Sequence, residues 1–119
     1  MRAVITFVAV VLSSLSSASA AEIKDMLGRW TWQDFTIEVT ECANKRVCAE
    51  VVAGPKNVGM EIFASYLTRK NGAWFGQVVN PATGAVYNSR MEFTGARTWR
   101  LDGCTVSKVC LSGEFVRAK

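Results

Sequence analysis

The side chains that most often do chemistry are missing from this chain of 119 residues or stand isolated in it. It contains no histidine, which removes Ser-His and Cys-His nucleophilic pairs, imidazole acid-base catalysis and histidine ligands for zinc. Ser65 and Ser89 therefore have no imidazole to activate them. Glu38 and Glu50 form an acid pair, but the strand register described below places both in water, where no environment separates an acid from a base. We expect no enzymatic activity, no catalytic residue and no cofactor.

Four cysteines occur as two C-x5-C pairs, Cys42 with Cys48 and Cys104 with Cys110. One interpretation of such a set is a zinc site, but zinc knuckles favour about two to four intervening residues. In an oxidising compartment the same cysteines are expected to form disulfides, and four cysteines allow three connectivities. We therefore predict two disulfides and no metal site.

The first twenty residues are typical of a secretory signal peptide. Arg2 gives a basic start, residues 3–12 are apolar, serines follow, and Ala18-Ser19-Ala20 is a small-residue cleavage site. A retained membrane anchor is the alternative, but a spanning helix needs about 20 apolar residues. We expect cleavage after Ala20, which leaves one domain at residues 21–119 in the periplasm or outside the cell, without a transmembrane anchor.

The charges argue against two classes of partner. The chain carries 14 Lys plus Arg against 10 Asp plus Glu, and the basic residues are scattered along it. A nucleic-acid groove or a polybasic membrane patch would need them clustered. We therefore expect the protein to bind no nucleic acid. We also expect it to be a monomer.

Beyond residue 21, a short helical stretch ends near residue 26, and apolar and polar residues then alternate between turn residues. Phe35, Ile37 and Val39 show the clearest alternation. The pattern predicts strands at residues 28–32, 34–41, 47–53, 60–68, 73–80, 85–93, 98–103 and 109–117. Eight strands predict an all-β fold, a small antiparallel up-and-down barrel, because closing the sheet removes its edges.

The first predicted hairpin favours a local disulfide. If Cys42 lies opposite Cys48, Val39 lies opposite Val51 on the inner face and Glu50 points outward. The second hairpin behaves in the same way.

If Cys104 lies opposite Cys110, Trp99 lies opposite Phe115 on one face and an arginine faces a glutamate on the other. Because one assumption sorts both hairpins into an apolar and a charged face, local pairing is the preferred connectivity. Disulfides between the hairpins remain the alternative.

The same alternation assigns the inward side chains of the central strands. Tyr87, Ser89 and Met91 point inward, and the parity carries back to Trp74 and Val78. The Asn71-Gly72 turn extends it to Phe63, Ser65 and Leu67, although a bulge would reverse that assignment.

This interior admits two interpretations. Either the aromatic side chains fill the barrel, or they leave a small apolar pocket near its mouth. The predicted ligand-binding residues are Trp74, Tyr87, Trp99, Ser65 and Ser89. The favoured function is a non-catalytic binding protein that holds a small lipophilic ligand.

The alternative function is a partner-binding or inhibitor module. The disulfides would present residues 44–47 and 105–109, whose cations Lys45, Arg46 and Lys108 suit an acidic envelope or host protein.

Gly28, Trp30 and the late Arg117 resemble the structural signature of the calycin superfamily, which includes lipocalins. The resemblance implies that the glycine lets the backbone pass close under a barrel floor, that the indole plugs the floor, and that the guanidinium stacks on the indole. The three are predicted structural residues.

A wider set of segments resembles the bacterial exported family called domain of unknown function 2147. The matching segments include Gly28-Arg29-Trp30, Val47-Cys48, Trp74-Phe75-Gly76, Asn80-Pro81, Gly84, Tyr87, Leu101-Asp102-Gly103-Cys104 and residues 110–117. The chain departs from the family pattern at Asn80, Ala49 and Phe115, where aspartate, glycine and tryptophan are usual. The resemblance implies a small lipocalin-like barrel outside the cytoplasm, and it brings no established activity.

Overall fold

A computed structural model describes residues 22–119. The predicted signal peptide and its cleavage site lie outside these residues. Helical structure in the described part is limited to α1 (Ile23–Met26) and a 3₁₀ turn (Ala43–Lys45). The strands are β1 Gly28–Trp32, β2 Phe35–Cys42, β3 Arg46–Ala53, β4 Thr68–Lys70, β5 Ala73–Val79, β6 Val86–Gly95, β7 Thr98–Cys104 and β8 Cys110–Arg117. The predicted all-β fold with eight antiparallel strands is confirmed.

The eight strands form one curled antiparallel sheet, a half-barrel, in the order β3-β2-β1-β8-β7-β6-β5-β4. Two up-and-down meanders, β1 to β3 and β4 to β8, are joined by pairing of β1 with β8. The strand registers place α1, the Ala43–Lys45 turn and the end of β8 at one end, called the floor end. Residues 33–34 and the loops 54–59, 80–85 and 105–109 lie at the opposite end, called the mouth end. No helix within residues 22–119 has the length and apolar character to span a membrane.

Residues 60–64, called the seam segment, bridge the two edges of the sheet in the mouth half. Ile62 bonds to both edges: its N–H donates to the Ala49 carbonyl at 2.6 Å, and its carbonyl accepts the Val79 N–H at 2.8 Å. Ile62 and Phe63 are each 1% exposed. The sheet is thus closed here by single bridges, and the prediction of a continuous strand over residues 60–68 is wrong.

A bulge interrupts that predicted strand. Ala64 donates its N–H to the Gln77 carbonyl, and Thr68 pairs with the residue two positions before Gln77. Residues 65–67 therefore stand opposite Gly76 alone, two more residues than a regular ladder allows. The bulged residues pack closely over Gly76, because a Cβ there would lie 2.6 Å from Leu67 Cδ2 and 3.2 Å from the Tyr66 carbonyl oxygen.

The prediction for the first hairpin was right in its disulfide and wrong in its register. Cys42 is bonded to Cys48. However, the Ala43–Lys45 turn places Cys42 opposite Arg46, so Val39 lies opposite Ala49 and not Val51. A shift of two residues keeps the inner and outer faces, because side chains alternate with period two.

The second hairpin follows its prediction. Cys104 is bonded to Cys110, and Trp99 lies opposite Phe115. The predicted register of β5 with β6 is also correct, since Trp74 lies opposite Met91.

An aromatic column fills the barrel from mouth to floor. Trp32 stacks on Phe115 at a centroid distance of 4.7 Å, and Phe115 stacks on Trp99 at 4.1 Å. Trp99 then meets Trp30 edge to face at 5.5 Å. Such ring pairs contribute about 0.5–1.5 kcal/mol each beyond the area they bury. The column is the centre of the core.

Trp30 also anchors the floor. Its Nε1–H donates to the Met26 carbonyl at 2.8 Å. Arg117 Cζ lies 4.1 Å from the Trp30 ring centroid, and the guanidinium donates to the carbonyls of Leu27 and Asp25, at 2.9 Å each. One arginine thereby holds α1 and the end of β8 together over the indole.

Candidate functional site

The barrel interior has little free space. A cavity of about 10 Å³ lies under the mouth end, and its lining includes Trp32, Val78, Pro81, Tyr87, Leu101 and Phe115. That volume is close to what one water molecule needs. Pro81 is less than 2% exposed and covers the cavity.

The loop that carries Pro81 is fixed by hydrogen bonds. The Asn80 carbonyl accepts the Gly84 N–H at 2.7 Å, and Asn80 Oδ1 accepts the Ala82 N–H at 2.9 Å. Asn57 Nδ2 donates to the Pro81 carbonyl at 2.7 Å, which ties loop 54–59 to loop 80–85. A ligand larger than water could reach the interior here only if this loop moved.

The five predicted ligand-binding residues are not grouped around the cavity. Tyr87 lines it, and Ser89 Oγ donates to the Tyr87 carbonyl at 3.0 Å. Trp99 is 1% exposed within the aromatic column, and Trp74 lies nearer the floor, where Arg69 Cζ is 5.9 Å from its ring centroid. The alternation of apolar and polar residues shows which face of the sheet a side chain lies on, but not how far it lies from the mouth end. The prediction therefore grouped five side chains, predicted to point inward, that lie at different distances from the mouth end.

Ser65 lies in the bulge and is used by the backbone. Its Oγ accepts the Gln77 N–H at 2.9 Å and donates to the Tyr66 carbonyl at 3.1 Å. The hydroxyl thus replaces a ladder acceptor that the bulge removes. The ligand-binding role of Ser65 stays a prediction.

The two basic loops lie at opposite ends of the barrel. Lys45 and Arg46 are at the floor end and Lys108 is at the mouth end, so they do not form one surface. Arg46 is also engaged: Nη2 donates to the Phe63 carbonyl at 3.0 Å, and Cζ lies 5.1 Å from the Tyr66 ring centroid. The sequence shows that both loops are basic, but it does not show that the full length of the strands separates them.

Glu61 is a structural residue that the sequence analysis missed. Its Oε2 accepts the N–H of Ala49 at 2.7 Å and that of Phe63 at 3.2 Å. The carboxylate therefore replaces a missing ladder carbonyl between β3 and the seam segment. A lone glutamate between Met60 and Ile62 carries no sequence signal for this role.

Glu61→Ala is expected to lower the free energy of unfolding by about 1–3 kcal/mol, because two backbone N–H groups lose a charged acceptor. Urea unfolding followed by far-UV circular dichroism measures the loss. Glu50→Ala is the matched control, since Glu50 neighbours Glu61 across the seam and is exposed. The control should change stability by less than about 0.5 kcal/mol. Equal losses in the two variants would contradict the seam role.

The mouth end carries most of the exposed large apolar side chains. Of seven such residues in the described chain, four lie here: Val58, Val86, Val106 and Val109, which are 61%, 41%, 89% and 58% exposed. We call these four valines the mouth surface. The Thr105 N–H donates to the Val109 carbonyl at 2.8 Å, so the loop that presents two of them is a bonded hairpin end.

A groove of about 440 Å³ lies on the outer face of β5, β6 and β7. Its walls are two rows of cross-strand neighbours, Phe75 with Arg90 and Asp102, and Gln77 with Asn88 and Cys104. Between the walls run Gly76, Ser89 and Gly103, which are paired across the three strands.

The charged side chains beside the groove pair with one another. Arg90 donates to Glu92 at 2.7 Å, and Arg100 donates to both carboxylate oxygens of Asp102 at 2.9 and 3.1 Å. The bonds from Arg100 and then Ser112 hold the pKa of Asp102 below its usual value. Because its folded-state pKa is lowered, the ionised Asp102 carboxylate stabilises the folded state. This stabilisation is present above the unfolded-state pKa and is lost as the pH falls through the folded-state pKa. The pair is exposed, so the contribution is small.

In the described part of the chain, no group of three or more histidine, cysteine or acidic side chains is arranged to hold a metal ion.

A sequence profile of the family described as "Uncharacterized protein conserved in bacteria (DUF2147)" matches residues 28–117. The chain belongs to the DUF2147 family. The matched region begins with β1 and ends with β8, so it contains the whole sheet. No curated protein and no solved structure matches the chain significantly.

Within this DUF2147 sheet, Asn80 is the position at which the sequence resemblance leads one to expect aspartate. Its Oδ1 accepts a backbone N–H, which an aspartate carboxylate could do equally well. The contact is a turn-forming one, and it gives no reason to assign chemistry to this position.

Proposed function

We propose that this DUF2147 chain is a non-catalytic binding protein, exported to the periplasm or the extracellular space, that binds an apolar ligand or an apolar partner segment at its mouth end. The barrel is lipocalin-like in this proposal, with a plugged floor and a loop-bearing mouth. The observation that carries the proposal is the mouth surface, where Val106 is 89% exposed. Four large apolar side chains are exposed at this one end of the barrel, and apolar surface that is concentrated in one region of a small domain is typical of interaction sites.

Export is supported by two features. Residues 1–20 have the pattern of a signal peptide, and the four cysteines form two disulfides. Disulfides persist where thiols are not kept reduced.

The filled interior favours binding on the mouth surface over binding inside. The cavity beneath Pro81 holds about 10 Å³, whereas sites for drug-sized ligands occupy about 300–1,000 Å³. Lys56 and Lys108 lie in the two loops that carry Val58, Val106 and Val109, so an apolar partner segment flanked by acidic residues would suit this end. Binding inside the barrel is the second candidate, because Tyr87 and Trp32 line a cavity that movement of loop 80–85 would enlarge.

A fluorescence titration with 1-anilinonaphthalene-8-sulfonate tests the mouth surface. The folded protein should bind the dye saturably, and the double variant Val106→Ser/Val109→Ser should raise the Kd about tenfold, which corresponds to about 1.4 kcal/mol of lost apolar contact. Val116→Ser is the matched control, since Val116 is 41% exposed on β8 near the floor end. It should leave the Kd unchanged within about twofold.

Two results would count against the mouth surface. One is a folded protein that binds no dye, and the other is equal weakening by the control variant. Native mass spectrometry of protein purified from its own compartment distinguishes the two locations. A retained small molecule, together with a Kd that Tyr87→Phe changes and the valine variants do not, would place the site inside the barrel.

A further inference from the structure

The groove on β5, β6 and β7 is a second candidate surface, and it is a shallow depression, open to solvent, on the outer face of the barrel. The two walls are two residues apart along the strands, about 7 Å, and they cross three strands, about 10 Å. With a volume of about 440 Å³, the groove has the size of a small-molecule site. It is not part of the mouth surface, whose four valines are absent from its lining.

One wall offers amide groups with spare hydrogen-bonding capacity. Gln77 Nε2 donates to Asn88 Oδ1 at 3.4 Å, a long bond, and both side chains are exposed. Each amide has two N–H donors and one carbonyl acceptor. Within residues 22–119 these two side chains form no other hydrogen bond, so most of their capacity faces the groove.

The opposite wall combines an apolar ring with one cationic and one anionic side chain, Arg90 and Asp102, each of which is paired with a residue beside the groove. Phe75 is 36% exposed at one end of the groove. Arg90 uses two of its nitrogens on Glu92 and has further N–H donors. The Asp102 oxygens already accept two bonds from Arg100 and one from Ser112, so about one acceptor position of the carboxylate is left for a ligand. The groove therefore presents donors, acceptors and one apolar ring face within a span of about 10 Å.

We propose that this groove is a saccharide-binding site. A sugar hydroxyl both donates and accepts hydrogen bonds, and a wall of side-chain amides opposite an arginine and an aspartate meets both needs. The C–H face of a pyranose ring is apolar and would cover Phe75. The ligand is a neutral, hydroxyl-rich oligosaccharide of two or three rings, since Arg90 is neutralised by Glu92 and Asp102 is neutralised by Arg100. The site lies outside the mouth surface and does not rest on the function proposed for it.

The test is a titration of the ¹⁵N-labelled protein with maltotriose and, separately, with chitotriose, followed by two-dimensional NMR. At least one sugar should give saturable shifts in the side-chain NH₂ signals of Gln77 and Asn88, with a Kd of about 1 mM because the groups stay largely hydrated. Asn88→Ala and Phe75→Ala should each raise the Kd about tenfold. Thr40→Ala, an exposed polar position on the outer face of β2, is the control and should leave the Kd unchanged.

Two outcomes would overturn the proposal: no saturable shift at either amide with either sugar, or shifts that persist at the same Kd in Asn88→Ala. Preferential binding of an extended peptide such as tetra-alanine at the same amides would also overturn it. Each variant is checked by its two-dimensional spectrum, so loss of binding is read only from folded protein. The dye titration at the mouth end is independent, so either site can fail without the other.

Discussion

Trp30→Ala is expected to lower the free energy of unfolding by about 3–5 kcal/mol, the loss typical of truncating a fully buried tryptophan. Trp30 is fully buried, and it contacts the aromatic column, the C-terminal end of α1 and the Arg117 guanidinium at once. Since small domains have about 5–15 kcal/mol of stability in total, the variant should be partly unfolded at moderate temperature. Urea unfolding followed by far-UV circular dichroism measures the change without relying on tryptophan emission.

Two further variants separate the ring from its partners. Trp30→Phe keeps a ring in the floor but loses the bond from Nε1 to the Met26 carbonyl, so it should cost less than Trp30→Ala. Arg117→Ala removes the cation and its two carbonyl contacts, and it should cost about 1–3 kcal/mol. If Trp30→Ala unfolded at the urea concentration of the unchanged protein, the floor would have no structural importance.

Gly113→Ala is expected to lower the free energy of unfolding by about 2–3 kcal/mol, because it overfills the core beside the aromatic column. A Cβ at Gly113 would collide with Cη2 and Cζ3 of Trp32, a ring already stacked against Phe115. Neither the indole nor the strand can move without disturbing that stack. Thermal or urea unfolding of the variant gives the loss directly.

A double-mutant cycle with Trp32→Phe tests the cause. The smaller ring lacks the atoms that the new methyl group would meet, so the loss from Gly113→Ala should fall by at least about 1 kcal/mol in the Trp32→Phe background. Gly72→Ala is a contrasting control, since a Cβ there meets no atom within 4 Å and the cost comes from its φ of +81° alone. Strict additivity of Gly113→Ala and Trp32→Phe would show that the collision is not what destabilises the variant.

The regular strands were predictable from the sequence because alternation reports which face is buried. Tyr87, Ser89 and Met91 are all buried on β6, as the alternation indicates. Local pairing of both disulfides followed from the same reasoning, and it survived a register error of two residues in the first hairpin because such a shift preserves the faces.

Irregular structure was not predictable, for a definite reason. The bulge at residues 65–67 packs over Gly76 on β5, and the alternation of apolar and polar residues does not encode that contact. The bonds of Glu61 to two backbone N–H groups likewise need a seam that no local pattern encodes. For the candidate site, alternation placed Tyr87 and Trp99 in one interior, yet only packing determines that they lie at different heights.

The position of β8 in the sheet has a consequence for the order in which the chain can fold. β8 follows the other seven strands in the sequence, yet it lies between β1 and β7 and carries both Phe115 and Arg117. Until residues 110–117 are free to pair, β1 to β3 and β4 to β7 are separate meanders. Both β1 and β7 then lack β8 as a pairing partner, and the floor is not yet assembled. Each disulfide links two cysteines of one hairpin and can form early. Pairing of β1 with β8 joins residues from nearly opposite ends of the domain sequence, and such long-range contacts form slowly. Folding of this domain is therefore expected to wait for its final strand, so an emerging chain stays open along most of its length.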